Sequence, residues 1–206
     1  YYYNVSAIDT QLRVSTLPTR SVDVQYANQT VSACRSLSVS GATYIIQSNL
    51  TSAGTCLNVT GKNINIYCNG HSITGNNAIL ATKTGLTLYN CILTSPTKAA
   101  LNIKGNSPSS VTIYNSVFTG SVYGILVTPE GSLYADNVTI TNNNFGIYFN
   151  NSNNGNTLKN ILMSGNDYDS LTFLNTSHNS ITALTITTAA DIDTNGIVVF
   201  NLSTDN

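Results

Sequence analysis

At 206 residues the chain is the size of one ordinary domain, long enough to bury a core without relying on disulfides. Eight Lys plus Arg against nine Asp plus Glu leave a net charge of −1, with only 8% of residues charged; nucleic acid is nearly excluded, because no cluster of cations faces a run of phosphates. Asn, Ser and Thr replace charge, about 80 residues in all, and one Glu, one Met and five Lys leave little from which to build helix, so the composition points to an all-β chain.

Residues 1–32 open the chain. Tyr1-Tyr2-Tyr3 lacks the basic start and apolar centre of a signal peptide, and the expectation is a chain already processed. Apolar alternation in Val5 and Ala7, Leu12 and Val14, and Val22, Val24 and Tyr26, broken by Pro18, predicts two or three extended segments. They fit no repeat. This gives an N-terminal arm, 1–32, ahead of a repeat domain, 33–206. No apolar run reaches the length of a membrane-spanning helix; Ile197-Val198-Val199-Phe200 is strand-sized.

From residue 66 onward two interleaved series share one period. Ile79, Leu101, Ile125, Ile147, Leu171 and Ile197 are spaced by 22, 24, 22, 24 and 26 residues, and each is followed two positions later by Ala81, Ile103, Val127, Phe149, Phe173 or Val199, the alternation of a half-buried strand. Small residues precede three of the anchors in Gly124-Ile125, Gly146-Ile147 and Gly196-Ile197. The second series is Cys68, Asn90, Asn115, Asn137, Asn160 and Ala183, with Ile66, Leu88, Ile113, Ala135, Leu158 and Ile181 two positions earlier. Positions +1 and +3 after the Asn are again apolar or small, so Asn stands at a bend between two strands.

A unit of about 23 residues with three short strands cannot close a core alone, but stacked copies share one, each adding about 4.8 Å. The recurrence of Asn at one bend predicts a ladder in which Asn90, Asn115, Asn137 and Asn160 face inward and bond from coil to coil. The competing reading is that Asn simply tolerates left-handed backbone at a turn.

Ala33-Cys34, Gly41-Ala42-Thr43-Tyr44, Gly54-Thr55-Cys56 and Cys68-Asn69-Gly70-His71-Ser72-Ile73-Thr74-Gly75 resemble the opening coils of right-handed parallel β-helix repeat proteins, most of all the archaeal and bacterial cell-surface members. The resemblance covers about residues 33–204 and implies a right-handed parallel β-helix of six or seven coils. It specifies function poorly, since the family includes polysaccharide lyases and hydrolases, phage tailspikes and surface proteins.

The cysteines Cys34, Cys56, Cys68 and Cys91 allow three pairings. In the stacking register Cys91 sits one position past the bend residue aligned with Cys68, so a bridge between adjacent coils is expected there, and Cys34 then pairs with Cys56. Metal binding is the alternative, but no Cys-x-x-Cys pair exists and His71 is the one nearby His. No cofactor is expected. Disulfides imply an extracellular or cell-surface location.

Catalysis on polysaccharides needs paired carboxylates, or acidic calcium sites with a basic residue. Asp167 and Asp169, and Asp191 and Asp193, are the candidates, set against turn chemistry before a strand. His71 and His178 lack a nucleophilic relay. Tyr67, Tyr89 and Tyr114 fall one residue before the bend and predict an outward row that either stiffens the stack or meets a ligand. Sequons begin at Asn4, Asn28, Asn49, Asn58, Asn137, Asn150, Asn175 and Asn201; chance alone gives about seven in a chain with 29 Asn and about one quarter Ser plus Thr. An inward Asn137 is not expected to carry glycan, whereas the others are candidates.

The functional expectation is a non-enzymatic extracellular structural protein, a filament or surface-layer subunit whose partners are copies of itself and N-linked glycans. Ile197, Val199 and Leu202 continue the coil pattern with no amphipathic cap after them, and arm 1–32 suits strand donation to a neighbour. The alternatives are a polysaccharide-binding or polysaccharide-cleaving module and a piece of an adhesin or tailspike.

Overall fold

The computed structural model describes residues 28–105, 109–152, 155–187 and 195–200, together with the backbone of short strands at 2–3, 6–8, 14–16 and 20–21. Every regular element among them is a β-strand. Each coil of the stack contributes strands to three faces, and all pairs within the stack are parallel.

The first face runs through Gln29–Val31, Thr43–Ile46, Asn65–Tyr67 and Leu86–Tyr89. It then enters four long strands, Ser109–Thr119, Gly131–Thr141, Asn156–Ser164 and Asn179–Thr187, which continue round a corner into the second face. In earlier coils the second face is made of separate strands, Leu50–Thr51, Ser72–Thr74 and Ile92–Thr94. The third face is an eight-stranded sheet from Arg35–Leu37 to Asn195–Phe200. The whole is a β-solenoid of about seven turns.

Both series found in the sequence are registers of this stack. On the third face Ile79 pairs with Leu101, Leu101 with Ile125, Ile125 with Ile147, Ile147 with Leu171 and Leu171 with Ile197. On the first, Ile66, Leu88, Ile113, Ala135, Leu158 and Ile181 form one continuous row. These rows, with Leu93, Phe118, Ile140 and Met163 from the second face, fill a single core in which nearly every side chain is shielded from water. No single coil encloses that volume, so stability is shared between neighbours.

The glycine before two of the third-face anchors has a steric origin. A Cβ on Gly124 would lie 2.7 Å from the carbonyl oxygen of Gly146, and one on Gly146 would lie 2.2 Å from that of Ser170. At Gly196 the nearest atom would be Ile186 Cγ2 at 4.0 Å. Crowding from the succeeding coil, rather than glycine's conformational freedom, demands a small residue at Gly124 and Gly146.

The stack starts slightly upstream of residue 33, because Gln29–Val31 pairs in parallel with Thr43–Ile46, Gln29 opposite Tyr44. Within the N-terminal arm, Tyr2–Tyr3 pairs antiparallel with Arg20–Ser21, and Ser6–Ile8 with Val14–Thr16.

Candidate functional site

Both disulfides join adjacent coils in the expected pairing: Cys34 to Cys56, with Cα atoms 4.5 Å apart, and Cys68 to Cys91, 4.8 Å apart. These separations match the spacing of neighbouring strands, about 4.7–4.9 Å, so each bridge lies along the stack axis. Two disulfides are consistent with an oxidising compartment.

The Asn series occupies a bend, but its orientation is a correction to the expected inward ladder. Asn90, Asn115, Asn137 and Asn160 are all solvent-exposed, with left-handed φ of 53°, 50°, 55° and 51°. The reason is visible in burial along Ser109–Thr119: Ile113 is buried, Tyr114 and Asn115 both face outward, and Ser116 is buried again. The left-handed residue is an extra residue at the corner, much as in a bulge, and it resets the phase so that both flanking strands keep their apolar side inward. One amide rung survives, Asn137 Nδ2 donating to Asn115 Oδ1 at 2.8 Å, while Asn160 Nδ2 donates to Asp136 Oδ1 at 2.8 Å.

The inward polar ladder lies at the next corner, between the second and third faces, which the sequence reading did not find. Ser95 N–H donates to Ser121 Oγ at 2.8 Å, Ser121 N–H to Asn143 Oδ1 at 3.0 Å, and Asn143 N–H to Asn166 Oδ1 at 3.2 Å. Asn143 Nδ2 also donates to the carbonyls of Phe118 and Thr141, both at 3.1 Å. All four side chains are buried. Each satisfies backbone groups left unpaired where the chain turns, the requirement for burying a corner. A smaller cluster closes the corner before the first face: Leu133 N–H donates to Asn156 Oδ1 at 3.0 Å, and Asn156 Nδ2 to Asn179 Oδ1 at 2.7 Å.

The expected tyrosine row is present on the outside of the first face. Tyr67 and Tyr89 stack at 4.5 Å with planes 6° apart, and Tyr89 and Tyr114 at 5.3 Å and 16°. In the next coils the same register holds Asp136 and Lys159, while Lys159 Nζ sits 5.5 Å from the Tyr134 ring centre. Burial, and then the phenols of Tyr67 and Tyr114, raise the Tyr89 pKa. A second aromatic group, not anticipated, flanks the third face. Tyr123 stacks on Phe145 at 5.0 Å and Phe145 on Tyr168 at 5.2 Å, with Tyr148 edge-on to both Tyr123 and Phe145. Burial, Tyr123 and the Asp169 carboxylate raise the Tyr148 pKa.

Of the acidic candidates that are described, Asp167 lies in a bend and Asp169 opens the strand Asp169–Leu174. Asp169 accepts from Thr172 Oγ1 at 3.1 Å and from Asn195 Nδ2 at 3.0 Å. Asp167 is exposed, its N–H donating to the carbonyl of Asn143 at 2.8 Å. Asp191 and Asp193 lie outside the described residues. His71 closes its turn through backbone, N–H to the Cys68 carbonyl at 2.8 Å, and His178 Nδ1 meets Ser177 Oγ at 2.9 Å. Among the described residues no group of three or more His, Cys, Asp and Glu is arranged to hold a metal.

The sequons differ in surroundings. Asn137 Nδ2 is bonded to Asn115, and Asn175 Nδ2 donates to Asn151 Oδ1 at 3.1 Å. Asn49 accepts through Oδ1 from Ser72 N–H, Asn150 through Oδ1 from Asn151, and Asn58 is half-buried with an unpartnered Oδ1. Asn28 is exposed and lines a groove with Tyr67. Asn4 and Asn201 lie outside the described residues.

Parallel coils, an apolar core threaded by polar corner ladders and aromatic rows on the outside define a right-handed β-helix protein. Residues 77–206 match the family model of the right handed beta helix region, and the chain belongs to that family. No curated protein and no solved structure matches it.

Proposed function

We propose that the chain is an extracellular structural protein, a filament or surface-layer subunit that associates with copies of itself head to tail through β contacts. The observation that carries this reading is the last described coil. Rows that are buried throughout the stack become open there: Leu158 is 1% exposed but Ile181 is 40%, Leu171 is 0% but Ile197 is 51%, and Phe173 is 4% but Val199 is 44%. A cross-section of apolar side chains bordered by parallel strands accepts one kind of partner well, another coil of the same shape.

The first strands of the stack, Gln29–Val31 and Arg35–Leu37, are parallel to those that follow, so a second copy entering in the same sense keeps the strand direction across the joint. Such a contact is heterologous and need not close, which produces filaments rather than dimers. The inter-coil disulfides support the extracellular setting. The role proposed is structural, without turnover on acidic or neutral polysaccharides in the presence or absence of calcium.

Negative-stain imaging of the purified chain tests this reading. Filaments are expected, with an axial repeat near seven strand spacings, roughly 34 Å plus any junction. The Val199→Asp variant should stay folded and lose them, because a charge in the uncovered layer cannot be buried unpaired. Monodisperse monomers for the parent chain at high concentration would overturn the reading.

A further inference from the structure

The tyrosine row ends in an open face. Tyr89 is covered on both sides by Tyr67 and Tyr114, but in register with Tyr67 the preceding coils hold Ile45 and then Thr30, neither of which carries a ring. Among the described residues the Tyr67 face turned away from Tyr89 therefore has no stacking partner, and the residue is 37% exposed. Beside it lies a groove of about 410 Å³ lined by Asn28, Thr43, Ile45, Tyr67 and Asn69. That volume is within the range of about 300–1,000 Å³ typical of small-ligand sites. Its chemistry is one aromatic face and one aliphatic side chain, surrounded by two amides and a hydroxyl.

Asn28 begins the sequon Asn28-Gln29-Thr30 and stands immediately before the first strand of the stack. Its side chain makes no hydrogen bond among the described residues, unlike Asn137 and Asn175, whose Nδ2 atoms are donated to neighbouring asparagines. Among the described residues, an acceptor amide without a hydrogen bond and an aromatic face without a stacking partner thus share one groove. We infer that Asn28 is an N-glycosylation site built into the fold, with its first sugar seated against Tyr67. The inference rests on the extracellular placement proposed above.

A separate transferase performs the reaction, with a sugar carried on a membrane lipid phosphate or diphosphate as donor. Asn28 Nδ2 attacks the anomeric carbon, the N–C bond forms as the C–O bond to phosphate breaks, the amide gives up one proton, and the lipid phosphate leaves. The attached pyranose then sets its C–H face on the Tyr67 ring, as apolar surfaces pack on aromatic faces. Its hydroxyls meet the Asn69 amide and the Thr43 hydroxyl. Occupation of the groove continues the row of stacked rings by one further layer toward the first coil.

The test uses the full chain secreted from a host that glycosylates Asn-x-Ser/Thr, with glycopeptide mapping followed by thermal melts of the parent, Tyr67→Ala, Asn28→Gln and the double variant. The expected result is glycan on more than half of the Asn28 peptide. Tyr67→Ala should lower Tm by several degrees more in the glycosylated chain than in the Asn28→Gln background. Because Tyr67→Ala removes the contact with Tyr89 in both backgrounds, that structural loss cancels. An unmodified Asn28 peptide overturns the inference, and if other sequons of the same preparation carry glycan, the extracellular reading stands without it. Equal Tm losses in the two backgrounds overturn the seat on Tyr67. Filament formation, scored by imaging the Asn28→Gln chain, reports on the structural reading independently.

Discussion

At Asn115 the backbone has φ of 50° and the side chain lies in water, so what the position selects is tolerance of left-handed backbone more than a buried hydrogen bond. An ordinary L-residue there costs about 1–2 kcal/mol, and glycine costs little. Asn115→Leu should therefore lose about 1–2 kcal/mol in urea denaturation, whereas Asn115→Gly should lose well under 1 kcal/mol. An inward ladder would have made the two equally damaging. Asn143 presents the opposite case: it is buried, and its side chain serves Ser121 N–H and the Phe118 and Thr141 carbonyls. Asn143→Leu should cost roughly 1–3 kcal/mol for each buried group left unpaired, enough to threaten folding. Glycines divide in the same way. Gly146→Ala forces a methyl group into the Ser170 carbonyl and should cost on the order of 1–3 kcal/mol or more, while Gly196→Ala, whose Cβ would meet Ile186 Cγ2 at 4.0 Å, an ordinary van der Waals distance, should be near neutral.

The strands themselves were legible because a half-buried strand alternates with period two, and stacking repeats that alternation at a nearly fixed interval. The pairs Leu101 with Ile125 and Ile147 with Leu171 follow directly from spacing. The same parity misplaces Asn115, since counting two from buried Ile113 puts it inside. Only the left-handed corner residue, which adds one position without adding an inward side chain, moves it out. The inner ladder escaped notice for a different reason. Ser95, Ser121, Asn143 and Asn166 are separated by 26, 22 and 23 residues, but two residue types share the task and none lies inside an alternating run. Outward rows also carry a testable consequence at this scale. Burial and the adjacent phenols raise the Tyr89 pKa above its ordinary 10.0, so the folded chain holds that proton more tightly than the unfolded chain does. The stability linked to it is complete below about pH 10 and is lost as pH rises through the folded value. Absorbance titration should show a late-titrating tyrosine that moves toward 10 in the Tyr67→Ala variant.

For the whole molecule, the question is what residues 1–32 do for a stack whose first strand is Gln29–Val31. Four short strands of the arm pair among themselves, Tyr2–Tyr3 with Arg20–Ser21 and Ser6–Ile8 with Val14–Thr16, so donation to a neighbour would exchange those pairs for equivalent ones, the logic of domain swapping. Deleting residues 1–20 removes Tyr2–Tyr3 and Arg20 from the first pairing and both members of the second, but leaves Gln29–Val31, both disulfides and every core row in place. The nearest-neighbour contacts among the described coils, on which their cooperative folding depends, all remain after the deletion. The shortened chain should therefore melt within a few degrees of the parent and retain β circular dichroism, while its filaments are lost or much shortened. Unfolding of the shortened subunit would instead assign the arm to its own first coil as a cap. Filaments of unchanged length would leave coil-on-coil stacking as the sole joint, in which case Val199→Asp must still abolish them, because that substitution acts on the opposite end of the same contact.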